Sequence, residues 1–303
     1  MQQHNRGERP ILGMSLMALA FLYLPVMDGI AKHLSQFLPI GEIVFARFML
    51  QSCFLLPFML HLGLPLWPKQ SAALQFLRGI MMMLTTLFFF GGLLYMPIAD
   101  AISITFIQPM IVTAISAVWL GEVIRWRRVS SILVGFAGAM LVIQPHFITV
   151  GWAALLPFGA AIAFALYIIL TKRLAADVHP VQMQFNVGAV SVVTVSFCWL
   201  LVPDFAGGIF DFQPLNSAQL GWLLLLGFIA TSGHLVIVYA MQKAPASLLA
   251  PIQYTEILGA TLIGFVVFQD IPTLSTSIGI SMIIGAGLFL FYREHQMAHA
   301  PKG

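Results

Sequence analysis

The chain has 303 residues, of which 60% are hydrophobic and only 8% are charged, with 14 Lys and Arg against 11 Asp and Glu. A soluble globular protein carries about 25% charged residues, and a mean hydropathy of +0.95 leaves too little polar surface to cover a water-soluble particle. The formal net charge of +3 is also a poor electrostatic footprint for binding nucleic acid. The composition therefore predicts an all-α integral membrane protein with several spans.

Long apolar stretches follow one another along the whole chain and predict spanning helices. A bilayer core of about 30 Å takes about 20 helical residues, so the charge-free stretch Val129–Thr171 is too long for one span. Gln144-Pro145-His146 divides it, because proline and the residue before it disfavour a helix. The stretch Ser247–Phe268 has the length of a span, although Glu256 interrupts it. The ten predicted transmembrane helices are 11–31, 39–61, 72–94, 99–120, 129–145, 151–173, 180–202, 219–241, 246–268 and 273–292.

The basic residues are distributed unequally between alternate loops. With the N-terminus in the cytoplasm, twelve of the 14 Lys and Arg residues fall on the inner side, Lys32 falls outside and Arg47 lies within the second helix. Cytoplasmic loops of membrane proteins carry an excess of Lys and Arg. The sequence therefore predicts a multi-pass protein of the bacterial inner (cytoplasmic) membrane with both termini in the cytoplasm.

The two halves of the sequence resemble each other. The first half contains Ala99-Asp100-Ala101, Gln108-Pro109 and Gly121-Glu122. The corresponding segments of the second half are Ala246-Ser247, Gln253-Tyr254-Thr255-Glu256 and Gln269-Asp270-Ile271. Each half holds five predicted helices, an odd number, so the second copy must be upside down in the membrane, as in many secondary transporters. We therefore expect two inverted five-helix repeats, over residues 1–148 and 149–303.

Several motifs in this chain resemble those of the EamA-type drug/metabolite transporter superfamily. They are Leu94-Tyr95-Met96-Pro97-Ile98-Ala99-Asp100-Ala101, Gln108-Pro109, Gly121-Glu122, Gly135-Phe136-Ala137-Gly138, Ala244-Pro245-Ala246-Ser247 and the spaced residues Asp28, Lys32 and Arg47. The resemblance covers essentially the whole chain. It implies a central cavity lined mainly by the first, third, fourth, sixth, eighth and ninth helices, and transport of a small organic metabolite by alternating access. It does not imply one substrate, because relatives move amino acids, cofactor-like molecules, flavins, sugars and organic cations.

Two polar residues near the membrane midplane are the first candidates for binding or coupling. A charge at this depth costs at least about 2.5–3.5 kcal/mol, so it needs a partner or a wet cavity. Glu256 lies about ten residues into the ninth predicted helix. It would either bind a cationic group or a coupling proton, or form a hydrogen bond with a neighbouring helix. Gln108 occupies the equivalent place in the first half, where it would bind substrate or satisfy backbone groups freed by Pro109.

Three further charged residues lie within or next to the first two predicted helices, and a fourth lies in the third. Asp28 follows Pro25, where a kink would expose carbonyl groups beside its carboxylate. It would bind a cation or a proton, or pair with Lys32 or Arg47 in a structural charge network, which is the interpretation we favour. Arg78 is expected to extend its guanidinium from the inner end of its helix towards the membrane surface.

The remaining candidate residues for substrate binding or coupling are aromatic or polar. His234 could sense protons, because an imidazole titrates near neutral pH, or it could be a buried group with satisfied hydrogen bonds. The other four would give polar edges to a mostly apolar pocket, although Tyr167 could simply pack. They are Tyr95, Tyr167, Gln253 and Tyr254.

The alternative to a transporter is an integral-membrane enzyme of lipid or isoprenoid metabolism. Such an enzyme needs clustered acid, base or metal ligands at one interface, and the eight histidines are scattered instead. We therefore expect no enzymatic activity, no cofactor and no metal. The expected partners are a small-molecule substrate, membrane lipids and, as a candidate coupling ion, the proton. The small residues near Gly138 and Gly285 would allow close contact between the fifth and tenth helices or across a weak homodimer.

Overall fold

The computed structural model describes residues 9–68, 71–96, 98–122, 126–143, 151–201, 213–268 and 274–299. Within these ranges the regular secondary structure is helical and contains no strand, which confirms the all-α prediction. The helices are α1 (Pro10–Leu34), α2 (Ile40–His61), α3 (Ala72–Gly92), α4 (Ile98–Thr105), α5 (Gln108–Trp119), α6 (Trp126–Ile143), α7 (Leu155–Leu174), α8 (Pro180–Leu201), α9 (Ser217–Lys243), α10 (Ala246–Leu249), α11 (Glu256–Phe268) and α12 (Leu274–His299). Short 3₁₀ turns, Gly151–Ala154 and Ala250–Thr255, precede α7 and α11.

Six of the described helices are long and apolar enough to cross a membrane. They are Pro10–Leu34, Ile40–His61, Ala72–Gly92, Gly151–Leu174, Pro180–Leu200 and Ser217–Lys243. Two shorter apolar helices, Gln108–Trp119 and Ser277–Tyr292, lie in the regions of predicted spans. The chain is therefore a multi-pass membrane protein, and the count of ten spans stays a prediction. The expected helix break at Gln144-Pro145-His146 and the repeat segment at Asp270 lie outside the described residues.

Two of the predicted spans are interrupted rather than continuous. The predicted helix 99–120 is divided into α4 and α5 by Phe106 and Ile107, and the predicted helix 246–268 is divided into α10, a 3₁₀ turn and α11. A proline accompanies each interruption, Pro109 in the first turn of α5 and Pro251 at the start of the 3₁₀ turn. Proline has no N–H to donate and is best accommodated in the first turn of a helix, so it favours a new helical segment at these points.

The helices pack in pairs that join the first part of the chain to the second. The main pairs are α1 with α9, α2 with α8, α3 with α7, and α6 with α12. Backbone approaches backbone closely in the last pair, since a Cβ atom added to Gly138 would lie 2.7 Å from the carbonyl oxygen of Gly279. Gly138 thus serves the contact between the fifth and tenth predicted helices. By contrast, a Cβ atom on Gly285 or Gly287 would meet no atom within 4 Å.

All six tryptophans are exposed and lie at or near the ends of helices. They are Trp67, Trp119, Trp126, Trp152, Trp199 and Trp222. Tryptophan is enriched where a membrane meets water, because its ring is apolar and its N–H needs a polar partner. The helix ends defined by these residues are therefore suited to the two membrane interfaces.

Candidate functional site

The two interrupted helices place the main polar candidates at equivalent positions. Gln108 is the first residue of α5, and Glu256 is the first residue of α11. Each therefore begins the helical segment that follows an interruption. Non-helical backbone inside a membrane protein is tolerated where it is buried in protein or lines a cavity, and substrate sites of transporters are built at such interrupted helices.

A cavity of about 90 Å³ lies beside these interruptions. Its wall comes from α1, α3, α4, α5, α7, α9 and α11, which correspond to the helices that the family resemblance implies, and Arg47 of α2 is added to them. Most of the lining is apolar or aromatic. The ionisable residues in it are Asp28, Arg47, His234 and Glu256. An apolar pocket with a few convergent polar groups has the lining of a small-molecule site, but its volume is below the roughly 300–1,000 Å³ of sites for drug-sized ligands, so a solute of that size requires a more open state.

The two carboxylates of the cavity make no hydrogen bond or ion pair with any described residue. Asp28 is buried in the protein and Glu256 is half-buried, and both line the cavity. Asp28 interacts electrostatically with Arg47 and with Glu256 without direct contact. A carboxylate withdrawn from water normally has a cation or several hydrogen-bond donors as neighbours. The cavity thus presents acceptors that the described part of the protein leaves unused.

The expected structural pair of Asp28 with Lys32 or Arg47 is not formed. Lys32 instead donates to the carbonyl oxygen of Leu93, and its Nζ lies 3.4 Å from that of Met96. These carbonyl groups follow the C-terminal end of α3, where a cation is favoured because the last carbonyl groups of a helix lack partners. Lys32 therefore belongs to one end of the helix bundle and not to the charge network predicted around Asp28.

Arg47 is fully buried and holds two cavity residues by its guanidinium. It donates to the hydroxyl group of Thr86, and its second terminal nitrogen lies 3.4 Å from His234 Nε2. His234 Nδ1 lies 2.9 Å from the carbonyl oxygen of Ala230. Because arginine can only donate, this geometry assigns the proton to Nδ1 and makes Nε2 the acceptor. Protonating Nε2 would set two cations side by side, so the structure disfavours His234 as the proton sensor.

Gln108 and Gln253 bind each other between the two interrupted helices. Gln108 Nε2 donates to Gln253 Oε1, and the Nε2 of Gln253 has no partner among the described residues. Gln108 lines the cavity, whereas Gln253 is buried behind it. The next residue, Tyr254, donates its hydroxyl to the carbonyl oxygen of Phe106 at 3.2 Å, which ties the second interruption to the first. Tyr254 is thus a fully buried packing residue.

The two remaining tyrosine candidates lie away from the cavity. Tyr95 is 57% exposed and makes an edge contact with Trp152, 5.1 Å between ring centres, so it belongs to an end of the bundle. Tyr167 is fully buried and stacks on Phe164, which does line the cavity. The structure therefore places four of the eight predicted binding residues on the cavity wall, and their roles stay predictions. These four are Asp28, Gln108, His234 and Glu256.

The prediction that Arg78 reaches the membrane surface is wrong. The residue is fully buried, and its guanidinium donates to Thr171, Tyr167, Gln184 and the carbonyl oxygen of Met183. Sequence reasoning also missed Thr86 and Phe164 as cavity residues. No sequence signal distinguishes Phe164 from the other 24 phenylalanines, but the need of the buried Arg47 for a partner pointed towards some nearby polar group such as Thr86.

Comparisons with known proteins agree on one family. The sequence profile of the EamA-like transporter family matches residues 11–144 and 151–292. The chain is 27% identical to an S-adenosylmethionine uptake transporter of Rickettsia bellii, over 93% of this chain and 94% of that protein. It is 26% identical to a riboflavin transporter of Rhizobium johnstonii, over 97% and 95% respectively. It is also 26% identical to the pseudopaline exporter CntI of Pseudomonas aeruginosa, over 92% and 95%.

A solved structure described only as the crystal structure of a protein shares the fold. Its TM-score is 0.74 at 18% sequence identity, and the match covers 94% of this chain and 97% of that one. The relatives are transporters of small metabolites, so the alternative of a membrane enzyme is not supported. The chain belongs to the EamA-like transporter family.

Proposed function

We propose that this protein is a secondary transporter that moves a positively charged small metabolite across the bacterial inner membrane by alternating access. The observation that carries the proposal is the pair of carboxylates, Asp28 and Glu256, that face one cavity without a hydrogen-bond partner in the described chain. A cation in the cavity would satisfy both groups, and the surrounding aromatic wall would strengthen the attraction by excluding water.

The charges of the cavity favour a cationic solute over an anionic one. When both carboxyl groups are ionised, which a bound cation favours, Asp28 and Glu256 supply two negative charges against the single positive charge of Arg47, while His234 is held in its neutral form by the geometry described above. Phe21, Phe89, Phe90 and Phe164 also line the cavity, and aromatic faces attract cations. Relatives named for S-adenosylmethionine uptake support a cationic, cofactor-like solute, and relatives named for other solutes give the range to be tested.

Alternating access would follow from two inverted halves, residues 1–148 and 149–303, each with five helices. The packing pairs support this arrangement, because exchanging the halves converts the pair α1–α9 into α3–α7 and leaves α2–α8 and α6–α12 unchanged. The interruptions before Gln108 and Glu256 also occur at the same place in each half. Rocking of one half against the other around the cavity would expose it to each side in turn. We further propose that both termini are cytoplasmic.

The direct test is counterflow of radiolabelled solutes in proteoliposomes, with and without a pH gradient. The panel should contain S-adenosylmethionine, riboflavin, an anionic and a neutral amino acid, and small organic cations. We expect exchange of cationic members and inhibition by other cations. Exchange confined to anionic solutes would contradict the proposal. Acceleration by a pH gradient would indicate proton coupling, whereas its absence would indicate facilitated exchange.

A further inference from the structure

Arg78 is a buried cation whose described acceptors are all uncharged. Its Nε donates to Thr171 Oγ1 at 2.7 Å, and one terminal nitrogen donates to the Met183 carbonyl oxygen at 2.6 Å. The other terminal nitrogen donates to the Tyr167 hydroxyl at 3.0 Å and to Gln184 Oε1 at 2.9 Å. One side chain of α3 is thereby fixed to α7 and α8. Burying an arginine is costly, and each of these neutral bonds offsets only part of that cost.

The same network fixes the position of the Tyr167 ring. The Tyr167 hydroxyl donates to Gln184 Oε1 at 3.2 Å while it accepts from Arg78, so the ring cannot swing away from Phe164 without breaking two hydrogen bonds. The guanidinium carbon also lies 4.7 Å from the centre of the ring. Gln184 is itself held in place, because its backbone carbonyl oxygen accepts a hydrogen bond from the side-chain amide of Gln51 of α2 at 2.7 Å.

Tyr167 in turn supports a residue of the cavity wall. Its ring is stacked on Phe164, with 5.5 Å between ring centres and 18° between planes. Phe164 lines the cavity and meets the imidazole of His234 edge-on at 6.4 Å. Met82, one turn after Arg78 on α3, lines the same cavity. Arg78 therefore contacts Tyr167, Tyr167 contacts Phe164, and Phe164 borders the cavity.

We propose that Arg78, Tyr167 and Gln184 are positioning residues that hold Phe164 as a fixed aromatic wall of the solute site. A fixed wall raises the affinity for solutes with a flat ring, because the ring need not be ordered when the solute binds. This inference rests on the proposed function only in taking the cavity as the solute site. It also explains why an arginine lies one turn from the cavity without reaching it.

A spectroscopic test follows the wall itself and requires no transported solute. 4-Fluorophenylalanine placed at position 164 gives a single reporter for ¹⁹F NMR of the purified protein in detergent. Gln184→Leu removes the acceptor of both Arg78 and Tyr167 and should shift or broaden this resonance. Gln182→Leu is the matched control, since Gln182 is also buried on α8 but donates to the Pro65 carbonyl oxygen at 2.5 Å. It should cost stability while leaving the resonance in place.

A second variant keeps the test informative if Gln184→Leu misfolds. Tyr167→Phe keeps the stacked ring and removes only its hydroxyl group, so it should fold and still change the ¹⁹F signal. If both Tyr167→Phe and Gln184→Leu leave the resonance as it is in Gln182→Leu, the proposal is wrong. That outcome would say nothing against transport, which the counterflow panel measures separately.

Transport gives the functional readout of the same idea. S-adenosylmethionine and S-methylmethionine form a matched pair of sulfonium solutes, with and without a flat ring system. Tyr167→Phe should raise KM for the solute with the ring by about tenfold, the effect of ~1.4 kcal/mol, while kcat and the KM of S-methylmethionine change little. An equal rise in KM for both solutes would show that Arg78, Tyr167 and Gln184 have only a structural role, and would overturn the assignment.

Discussion

Replacing Glu256 by glutamine tests the negative charge of the cavity with little disturbance of its shape. The carboxylate makes no hydrogen bond with the described residues, so Glu256→Gln removes no known contact within the protein. The amide has the same shape and avoids the cost of a buried charge. We therefore expect the variant to fold with a thermal midpoint close to that of the parent.

The effect on a cationic solute can be bounded from electrostatics. At about 4 Å and an effective dielectric constant of about 20, a carboxylate attracts a cation by roughly 4 kcal/mol. Desolvation offsets part of this, and hydrogen bonds to charged groups contribute about 1.5–3 kcal/mol net. Glu256→Gln should thus raise the KM for a transported cation by about 10- to 100-fold. Any dependence of transport on pH that arises from this carboxyl should disappear as well.

The matched control is a carboxyl that is buried elsewhere. Glu42 of α2 accepts a hydrogen bond from the backbone N–H of Gln213 at 3.0 Å and does not line the cavity. Glu42→Gln should lower stability and leave KM unchanged in the same counterflow assay. If Glu256→Gln transports with the KM and pH profile of the parent, Glu256 is not part of the solute site and the reasoning fails.

Three further predictions concern the second carboxyl group, the helix packing and the topology. Asp28→Asn should weaken cation transport like Glu256→Gln, and the double variant should raise KM by less than the product of the two single effects, because both groups act on one cation. If the two effects multiply in counterflow, the two residues do not bind the same cation. Gly138→Ala should lower the free energy of unfolding by about 1–3 kcal/mol, because its Cβ would lie 2.7 Å from the Gly279 carbonyl oxygen. The control Gly285→Ala places a Cβ with no atom within 4 Å, so equal thermal midpoints for the two variants would contradict this packing. Ser217→Cys should react with an impermeant thiol reagent added from the periplasmic side, in a variant that lacks Cys53 and Cys198. Labelling only from the cytoplasm would reverse the proposed topology.

The membrane class, the helical fold and the family resemblance could be predicted from the sequence because they depend on composition and on short motifs. A chain with 8% charged residues has few ways to fold other than as membrane helices. The polar residues inside apolar helices were also recognisable as site candidates, since each must have a partner or a cavity. Asp28, Gln108, His234 and Glu256 do line one cavity.

The directions in which side chains face could not be predicted in the same way. Lipid is as apolar as the protein interior, so a membrane helix lacks the polar face that orients a helix in a soluble protein. Tyr167 and Tyr95 therefore looked equivalent in sequence, although one is buried behind Phe164 and the other is exposed near Trp152. The length of an arginine side chain added a second ambiguity, because Arg78 could extend to the surface or turn inwards.

The helix interruptions show a similar limit. Pro109 and Pro251 permit a new helix to begin, but proline is also tolerated within membrane helices when neighbours satisfy the freed carbonyl groups. The contacts that favour the interruption are distant in sequence, as in the bond from Tyr254 to the carbonyl oxygen of Phe106. Such contacts exist only once the two halves are packed together.

The most direct test of the account is an experimental structure with a solute selected by counterflow. The account predicts that the solute occupies the cavity, with its cationic atom within about 4 Å of the carboxylates of Asp28 and Glu256, the distance of an ion pair. A solute bound outside the cavity, or bound there with its cationic group against Arg47 and away from both carboxylates, would contradict the central claim.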